Sequence, residues 1–321
     1  MIIVTGGAGF IGSNIVKAFN KRSFSDILIV DDLKNGKKIS NLNELNFKDY
    51  IDKHDFNAKI IKNWDFGDIE AVFHQGACSN TTEWDGNYMM KNNYQYSKEL
   101  LEWCSIKKIQ FLYASSASVY GMGLNGFCEK RKCERPINMY AFSKFQFDQY
   151  VRSFTSDPKN QVVGLRYFNV YGPGEAHKGS MASTAFHFNN QVRESGKLRL
   201  FGNYDGYLKG EQKRDFIFVD DCAEVNLWFY ENPDISGIYN LGTGTAREFN
   251  EMANEIIKWH RTYSSITSSI QYIDFPQHLK GSYQSYTKAN IDKLVEVGYQ
   301  KPFLTLEMGI EKYLRETNLK N

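Results

Sequence analysis

The chain has little of what would tie it to a membrane, a nucleic acid or a metal. Lys and Arg together number 39 against 37 Asp and Glu, a formal net charge of +2 over 321 residues. No surplus of one sign therefore points to a phosphate backbone or an anionic lipid surface as a general partner. No apolar run approaches the ~20 residues of a membrane-crossing helix. Cysteines are few and scattered, at 78, 104, 128, 133 and 222. Their number is odd, and Cys128 and Cys133 have no Cys or His companions at zinc spacing. This speaks against metal and leaves reduced thiols in a cytoplasm as the expectation. A first strand starting at Met1 leaves no room for a signal peptide. Repeats and low-complexity tracts are missing too. The length allows one large domain or two modest ones, with ample core.

What is present begins at once. Met1 to Val4 reads as a short apolar strand, followed by the turn Thr5-Gly6-Gly7-Ala8-Gly9-Phe10-Ile11-Gly12. Phe10 to Phe19 then reads as a helix with Ile11, Ile15 and Phe19 on one face, and Asp26 to Asp32 as the next strand, ending in acids. Strand, glycines, helix, strand and acid in that order are what a dinucleotide-binding unit requires. Gly6 permits the tight turn, Gly9 lets backbone approach a pyrophosphate, and Gly12 lets helix pack on strand. The pyrophosphate would lie at the positive end of the helix. Further strands are expected at Glu70–His74, Phe111–Ser116 and Gln161–Arg166, and helices at Asn87–Cys104, Tyr140–Phe154 and Glu248–Trp259. The alternation predicts an α/β fold with a doubly wound parallel sheet (a Rossmann domain over 1–170). A smaller mixed lobe for substrate is expected over 171–321, with segments crossing back.

Tyr140-Ala141-Phe142-Ser143-Lys144 sets a phenol and an ammonium four residues apart, one above the other on a helix at ~6 Å along the axis. A nearby ammonium favours phenolate, so Tyr140 is expected to exchange protons near neutral pH. Tyr94 to Lys98 matches the same spacing in a chain with 20 tyrosines. Only Tyr140 follows a buried strand that ends in a serine, Ser116, at the sheet edge where open α/β sheets bind ligands. Together these residues predict oxidoreductase-type chemistry at an alcohol carbon. A 4,6-dehydratase calls for Asp-Glu after the catalytic hydroxyl, where this chain has Ala117-Ser118.

These motifs resemble the extended short-chain dehydrogenase/reductase family, whose members modify nucleotide-activated sugars. The likeness covers nearly the whole chain, with an insertion-like stretch around 205–211. Its most specific segments are Gly76 to Gly86, Arg166 to Pro173 and His177 to Ser183. The last segment narrows the resemblance to the 6-epimerases of ADP-linked heptoses. If it holds, the cofactor is touched by Phe10, Ile11, Asp31, Asp32, Lys38, Lys53, Gln75, Gly76, Ala77, Cys78, Ser79, Asn92, Lys144, Val170 and Lys178. The sugar nucleotide is touched by Asn169, Ser180, His187, Phe201, Gly202, Asn203, Tyr204, Arg214 and Tyr283. Tyr140 and Lys178 become the two proton-transfer residues. The resemblance also implies a homo-oligomer, a pentamer in close relatives, and a precursor of the lipopolysaccharide inner core as product. A UDP-sugar 4-epimerase shares the same Ser, Tyr and Lys, and a dinucleotide-sensing module would keep the fold without the chemistry.

Several assignments stay open at the level of residue type. Lys178 alone reads as a surface-loop lysine, although its loop directly follows Gly172-Pro173-Gly174 near the expected sheet edge. Arg214 suits a diphosphate with its planar fork, or equally pairs with Asp215 or Asp220. His187, in an apolar stretch, reads as a core histidine, and Tyr283 as one tyrosine among many. Asp31 and Asp32 favour the ribose hydroxyl of NAD, whereas Lys34, Lys37, Lys38 and Lys53 offer cations to the 2′-phosphate of NADP. The expectation is NADP, with NAD possible.

Overall fold

The computed structural model describes residues 1–154, 160–281 and 283–318. In chain order its elements are β1 (Ile2–Thr5), α1 (Phe10–Lys21), β2 (Ile27–Asp31), β3 (Asp49–Asp52), α2 (Lys53–Ile61) and β4 (Ala71–His74). Next come α3 (Gly86–Met89), a π-helical turn (Met90–Gln95), α4 (Tyr96–Lys107), β5 (Gln110–Ser116), α5 (Met139–Phe154), β6 (Val162–Tyr167) and β7 (Asn169–Tyr171). The remainder holds α6 (Thr184–Ser195), β8 (Lys197–Phe201), β9 (Lys213–Arg214), β10 (Phe216–Phe218), α7 (Val219–Glu231), β11 (Gly237–Leu241) and β12 (Arg247–Glu248). It closes with α8 (Phe249–Tyr263), β13 (Ser269–Ile273), α9 (Asp292–Glu296) and α10 (Leu306–Asn318).

Seven strands form one sheet in the order β11-β6-β5-β4-β1-β2-β3, and each neighbouring pair is parallel. Parallel strands buried on both faces read as continuous apolar runs, as β1 and β2 do. Alternation then deals their side chains to two layers. Ile2, Val4, Ile27 and Ile29 pack with α1 and α7 through Ile15, Phe19, Cys222 and Val225. Ile3, Leu28 and Val30 pack on the other side with Phe56, Leu100 and Phe147 from α2, α4 and α5. This is the doubly wound arrangement the alternation predicts, and it leaves the C-terminal strand edge free for ligands.

Past Tyr171 the chain serves both parts of the molecule. Strand β11 returns to the large sheet, pairing Leu241 with Tyr167. The rest builds two-stranded sheets, β7 with β10, β8 with β13 and β9 with β12, around a second core of α6, α8 and α10 side chains that includes Phe188, Ile256, Trp259 and Tyr313. The long helix expected from Asn87 is interrupted by the π turn. Buried Asn93 there turns inward to grip Cys78, donating to its carbonyl at 2.9 Å and accepting from its N–H at 2.8 Å.

Candidate functional site

The turn after β1 is shaped by close backbone contact. A Cβ on Gly12 would lie 2.1 Å from the Gly6 carbonyl oxygen, and one on Gly6 would lie 2.6 Å from the Gly76 nitrogen. Gly6 also sits at φ +67°, a conformation other residues rarely adopt. These two glycines bring α1, β1 and the Gln75–Gly76 segment into one corner. Helix α1 starts there without a side-chain cap and without an acid in its first turn, so its first N–H groups and its positive end face the cavity uncompensated.

Asp31 ends β2 and holds the turn. One of its carboxylate oxygens accepts from Ala8 N–H at 2.8 Å; the other accepts from Lys38 Nζ at 2.7 Å. Asp32 pairs with Lys53 at 2.9 Å and accepts from Lys34 N–H; despite partial burial, these bonds hold its carboxyl below the usual range. Each acid at the strand end therefore meets a lysine of its own, while Lys34 and Lys37 stay exposed.

Ser116 closes β5, and its hydroxyl accepts from Ser118 N–H and Oγ at 3.2 and 2.9 Å. Beneath it, fully buried Arg166 donates to Asp148 at 2.8 and 2.9 Å, to Tyr120 OH at 2.9 Å and to Glu134. Asp148 also accepts from Ser115 and Tyr113, so the strand end is locked to α5. Tyr140 lies in the first turn of α5, and Lys144, one turn on, donates to the Ala114 carbonyl at 2.7 Å. Burial lowers the Lys144 ammonium to about 8, with Asp148 opposing. Burial pushes the Tyr140 phenol up, offset in part by the Ser116 hydroxyl. Loss of solvent thus moves the phenol in the direction opposite to the one expected from the nearby ammonium. The competing pair, Tyr94 and Lys98, lies elsewhere, with Lys98 over the rings of Tyr94 and Tyr150 at 5.4 and 4.6 Å.

Lys178 is half-buried rather than a free surface lysine. Its ammonium stands 5.3 Å above the Phe10 ring at the start of α1, and burial lowers its pKa while Glu175 opposes. The loop is fastened from two directions. Buried Glu175 accepts from Gly172 N–H and from Ser183 N–H and Oγ. Asn41 donates to the carbonyls of Gly174 and Ala8 at 2.9 and 3.0 Å.

Arg214 makes neither of the ion pairs left open by residue type. It is 7% exposed and has no carboxylate partner among the described residues. Asp215 instead accepts from Thr243, Gly244 and Ala289, and Asp220 pairs with Lys312. The guanidinium packs 4.9 Å from the Tyr283 ring and 5.5 Å from that of Phe249, and burial lowers its pKa. It donates to the Lys213 carbonyl at 3.0 Å, and a desolvated guanidinium without a carboxylate partner is suited to an anion.

These groups border one cavity of about 1390 Å³. Of the cofactor candidates, Gly6, Gly9, Phe10, Ile11, Gly12, Asp31, Lys38, Gln75, Gly76, Ala77, Cys78, Ser79, Lys144, Val170 and Lys178 line it; so do Ser116 and Tyr140. Of the substrate candidates, Asn169, Ser180, Phe201, Arg214 and Tyr283 do. Asp32, Lys53, Asn92, His187, Gly202, Asn203 and Tyr204 stand outside that lining. Tyr204 stacks on Phe275 at 3.8 Å behind Phe201 and Tyr283. Sequence reasoning passed over Ser118, His177, Arg199, Gln212 and Thr287, which also border the cavity. Ser118, two residues past Ser116, and His177, at the head of the His177–Ser183 segment, carried a local signal; the other three did not.

The sequence profile of the NAD dependent epimerase/dehydratase family matches residues 2–242. The chain belongs to that family. Solved structures agree with the chain over nearly its full length. The Helicobacter pylori ADP-L-glycero-D-manno-heptose-6-epimerase is 31% identical, at TM-score 0.80 over 98% of this chain and 95% of that one. A Methanobrevibacter ruminantium UDP-N-acetylglucosamine 4-epimerase, solved with UDP-N-acetylmuramic acid, is 26% identical at TM-score 0.83 over 100% and 98%. The Thermus thermophilus UDP-glucose 4-epimerase, solved with NAD, is 25% identical at TM-score 0.78 over 98% and 97%.

The family's dinucleotide fits the residues present. The uncapped start of α1 matches a pyrophosphate. Gln75, whose Nε2 is buried without a hydrogen-bond partner among the described residues, lines the cavity beside the glycine corner, an unspent donor of the kind a ligand satisfies. No helix among the described residues is long and apolar enough to cross a membrane.

Proposed function

We propose that this epimerase interconverts ADP-D-glycero-D-manno-heptose and ADP-L-glycero-D-manno-heptose at C6. The observation that carries the reading is that Lys178, half-buried over Phe10, borders the same cavity as Tyr140. Inversion moves a hydroxyl from one side of its carbon to the other, so a proton acceptor is needed at each position. The hydrogen at C6 is not acidic, because no carbonyl is adjacent, and direct deprotonation is excluded. A bound nicotinamide dinucleotide supplies reversible hydride acceptance, which turns the alcohol into a ketone and back. Tyr140, beside the Ser116 hydroxyl, takes or returns the hydroxyl proton in one orientation; Lys178 does so in the other. Lys144 adds positive charge on the Tyr140 side, and Arg214 holds the diphosphate so that only the sugar end turns. The likeness to the Helicobacter enzyme supports the heptose substrate.

The cofactor we assign is NADP. The carboxylates of Asp31 and Asp32 are each neutralised by a lysine, and Lys34 and Lys37 add positive charge beside them, so a 2′-phosphate meets a net cationic patch. Preference for NAD⁺ over NADP⁺ in a binding titration would overturn that assignment.

Proton NMR of ADP-D-glycero-D-manno-heptose with the purified protein tests the whole reading. The expected result is the L-glycero epimer without added cofactor. No conversion even with NADP⁺ or NAD⁺ supplied would refute it. Conversion of UDP-glucose instead would favour the second reading, a UDP-sugar 4-epimerase, which the Thermus and Methanobrevibacter structures support.

A further inference from the structure

The segment between β5 and α5 carries a pair of thiols that the proposed reaction does not use. Cys128 Sγ and Cys133 Sγ lie 3.0 Å apart, and Cys133 Sγ also faces the Asn125 carbonyl at 3.0 Å. A disulfide needs about 2.05 Å, so closure asks for a movement of about 1 Å. The surrounding loop is held in the conformation that brings the sulfurs together. Asn125 donates to the Lys132 carbonyl at 2.9 Å, Arg135 N–H to the Val119 carbonyl at 2.8 Å, and Glu129 accepts from Asn240 N–H at 2.8 Å. Glu134, the neighbour of Cys133, is gripped by Arg152 and Arg166.

The two thiols differ in a way that assigns their roles. Cys128 is half-buried, whereas Cys133 is 1% exposed. Burial raises the Cys133 pKa, so Cys128 is the one that meets an oxidant first. Cys104 and Cys222 lie in other parts of the core, on α4 and α7. Cys78 lies in the cavity wall, where Asn93 holds its backbone.

We infer that Cys128 and Cys133 are a redox-active pair that closes to an intrachain disulfide on exposure to hydrogen peroxide and reopens with a dithiol reductant. The Cys128 thiolate attacks the peroxide oxygen, the O–O bond breaks, and with one proton the first water leaves a sulfenic acid. Cys133 sulfur then attacks that sulfur, the S–O bond breaks, and the second water departs with the remaining thiol proton. Two electrons pass from the sulfurs to the peroxide. The pair also touches the proposed active site. Cys133 shares a small core with Ala117, Tyr120, Phe127 and Phe168, of which Ala117 and Phe168 border the cavity.

The test uses the intact protein treated with hydrogen peroxide, then denatured and alkylated with N-ethylmaleimide. Mass spectrometry should show two of the five thiols protected, in a peptide linking Cys128 to Cys133 and lighter by about 2 Da than its reduced form. Dithiothreitol should restore all five. Cys128→Ser, at the half-exposed position, should abolish that protection without the packing loss that Cys133→Ser could bring. Five alkylated thiols after peroxide treatment would overturn the inference, as would a bond through Cys78 or between two chains.

Discussion

Lys144 offers a test in which stability and activity move in opposite directions. Its ammonium is 5% exposed and falls from the ordinary 10.5 to about 8, so carrying the charge in the fold costs about 3 kcal/mol. Lys144→Met removes that cost at pH 7 and forfeits the bond to the Ala114 carbonyl, worth about 1–2 kcal/mol. The variant should therefore be more stable than the parent by about 1–2 kcal/mol, while kcat/KM falls by about 100-fold or more. The pH dependence follows from the sign of the shift. Between about 8 and 10.5 the native protein has released a proton that the unfolded chain keeps, so the parent's stability rises with pH across that window and the variant's does not. The two should cross at about pH 9, with the parent more stable above. Urea unfolding of both proteins at pH 7, 8, 9 and 10 measures this. A stability difference that does not change with pH, or a variant less stable at pH 7, would show that burial does not strain the ammonium.

Two further outcomes are expected. Arg214→Met should leave stability within about 1 kcal/mol, since the guanidinium has no ion pair among the described residues and loses one hydrogen bond, to the Lys213 carbonyl, and should raise KM for the nucleotide sugar by about 10–100-fold; an unchanged KM in initial-rate measurements would remove Arg214 from diphosphate binding. Gly12→Ala drives a methyl onto the Gly6 carbonyl at 2.1 Å, so urea unfolding should show a loss of about 1–3 kcal/mol and a titration should show weakened dinucleotide binding. Normal binding in that variant would mean that α1 can retreat from the turn without consequence.

The doubly wound sheet was legible because β1, β2, β4 and β5 are apolar runs set between glycine and helix signals. Strand β3 was not: Asp49-Tyr50-Ile51-Asp52 is polar at both ends and only partly buried at the sheet edge. Strand β11 was hidden because its buried position 240 is an asparagine, whose amide is satisfied by the carbonyls of Phe127 and Asn290. At the site, glycine spacing and the Tyr140–Lys144 interval are local patterns, so both could be read directly. The isolation of Arg214 and the burial of Lys178 depend on residues distant in sequence, Thr243 and Ala289 around Asp215 and Phe10 beneath the ammonium. Local spacing does not encode them. The π turn that aims Asn93 at Cys78 was equally invisible, because its composition is that of ordinary helix.

The late return of β11 bears on biosynthesis. On the ribosome, β6 is made about 75 residues before the strand that covers its outer edge, an interval of roughly 4–15 s at bacterial and eukaryotic elongation rates. Throughout it, the Val162–Tyr167 edge carries unpaired peptide groups flanked by apolar side chains, a template for pairing with a neighbouring nascent chain. Truncation before Gly237 should thus yield aggregates rather than a smaller folded unit, and chaperone demand during translation should concentrate on that interval.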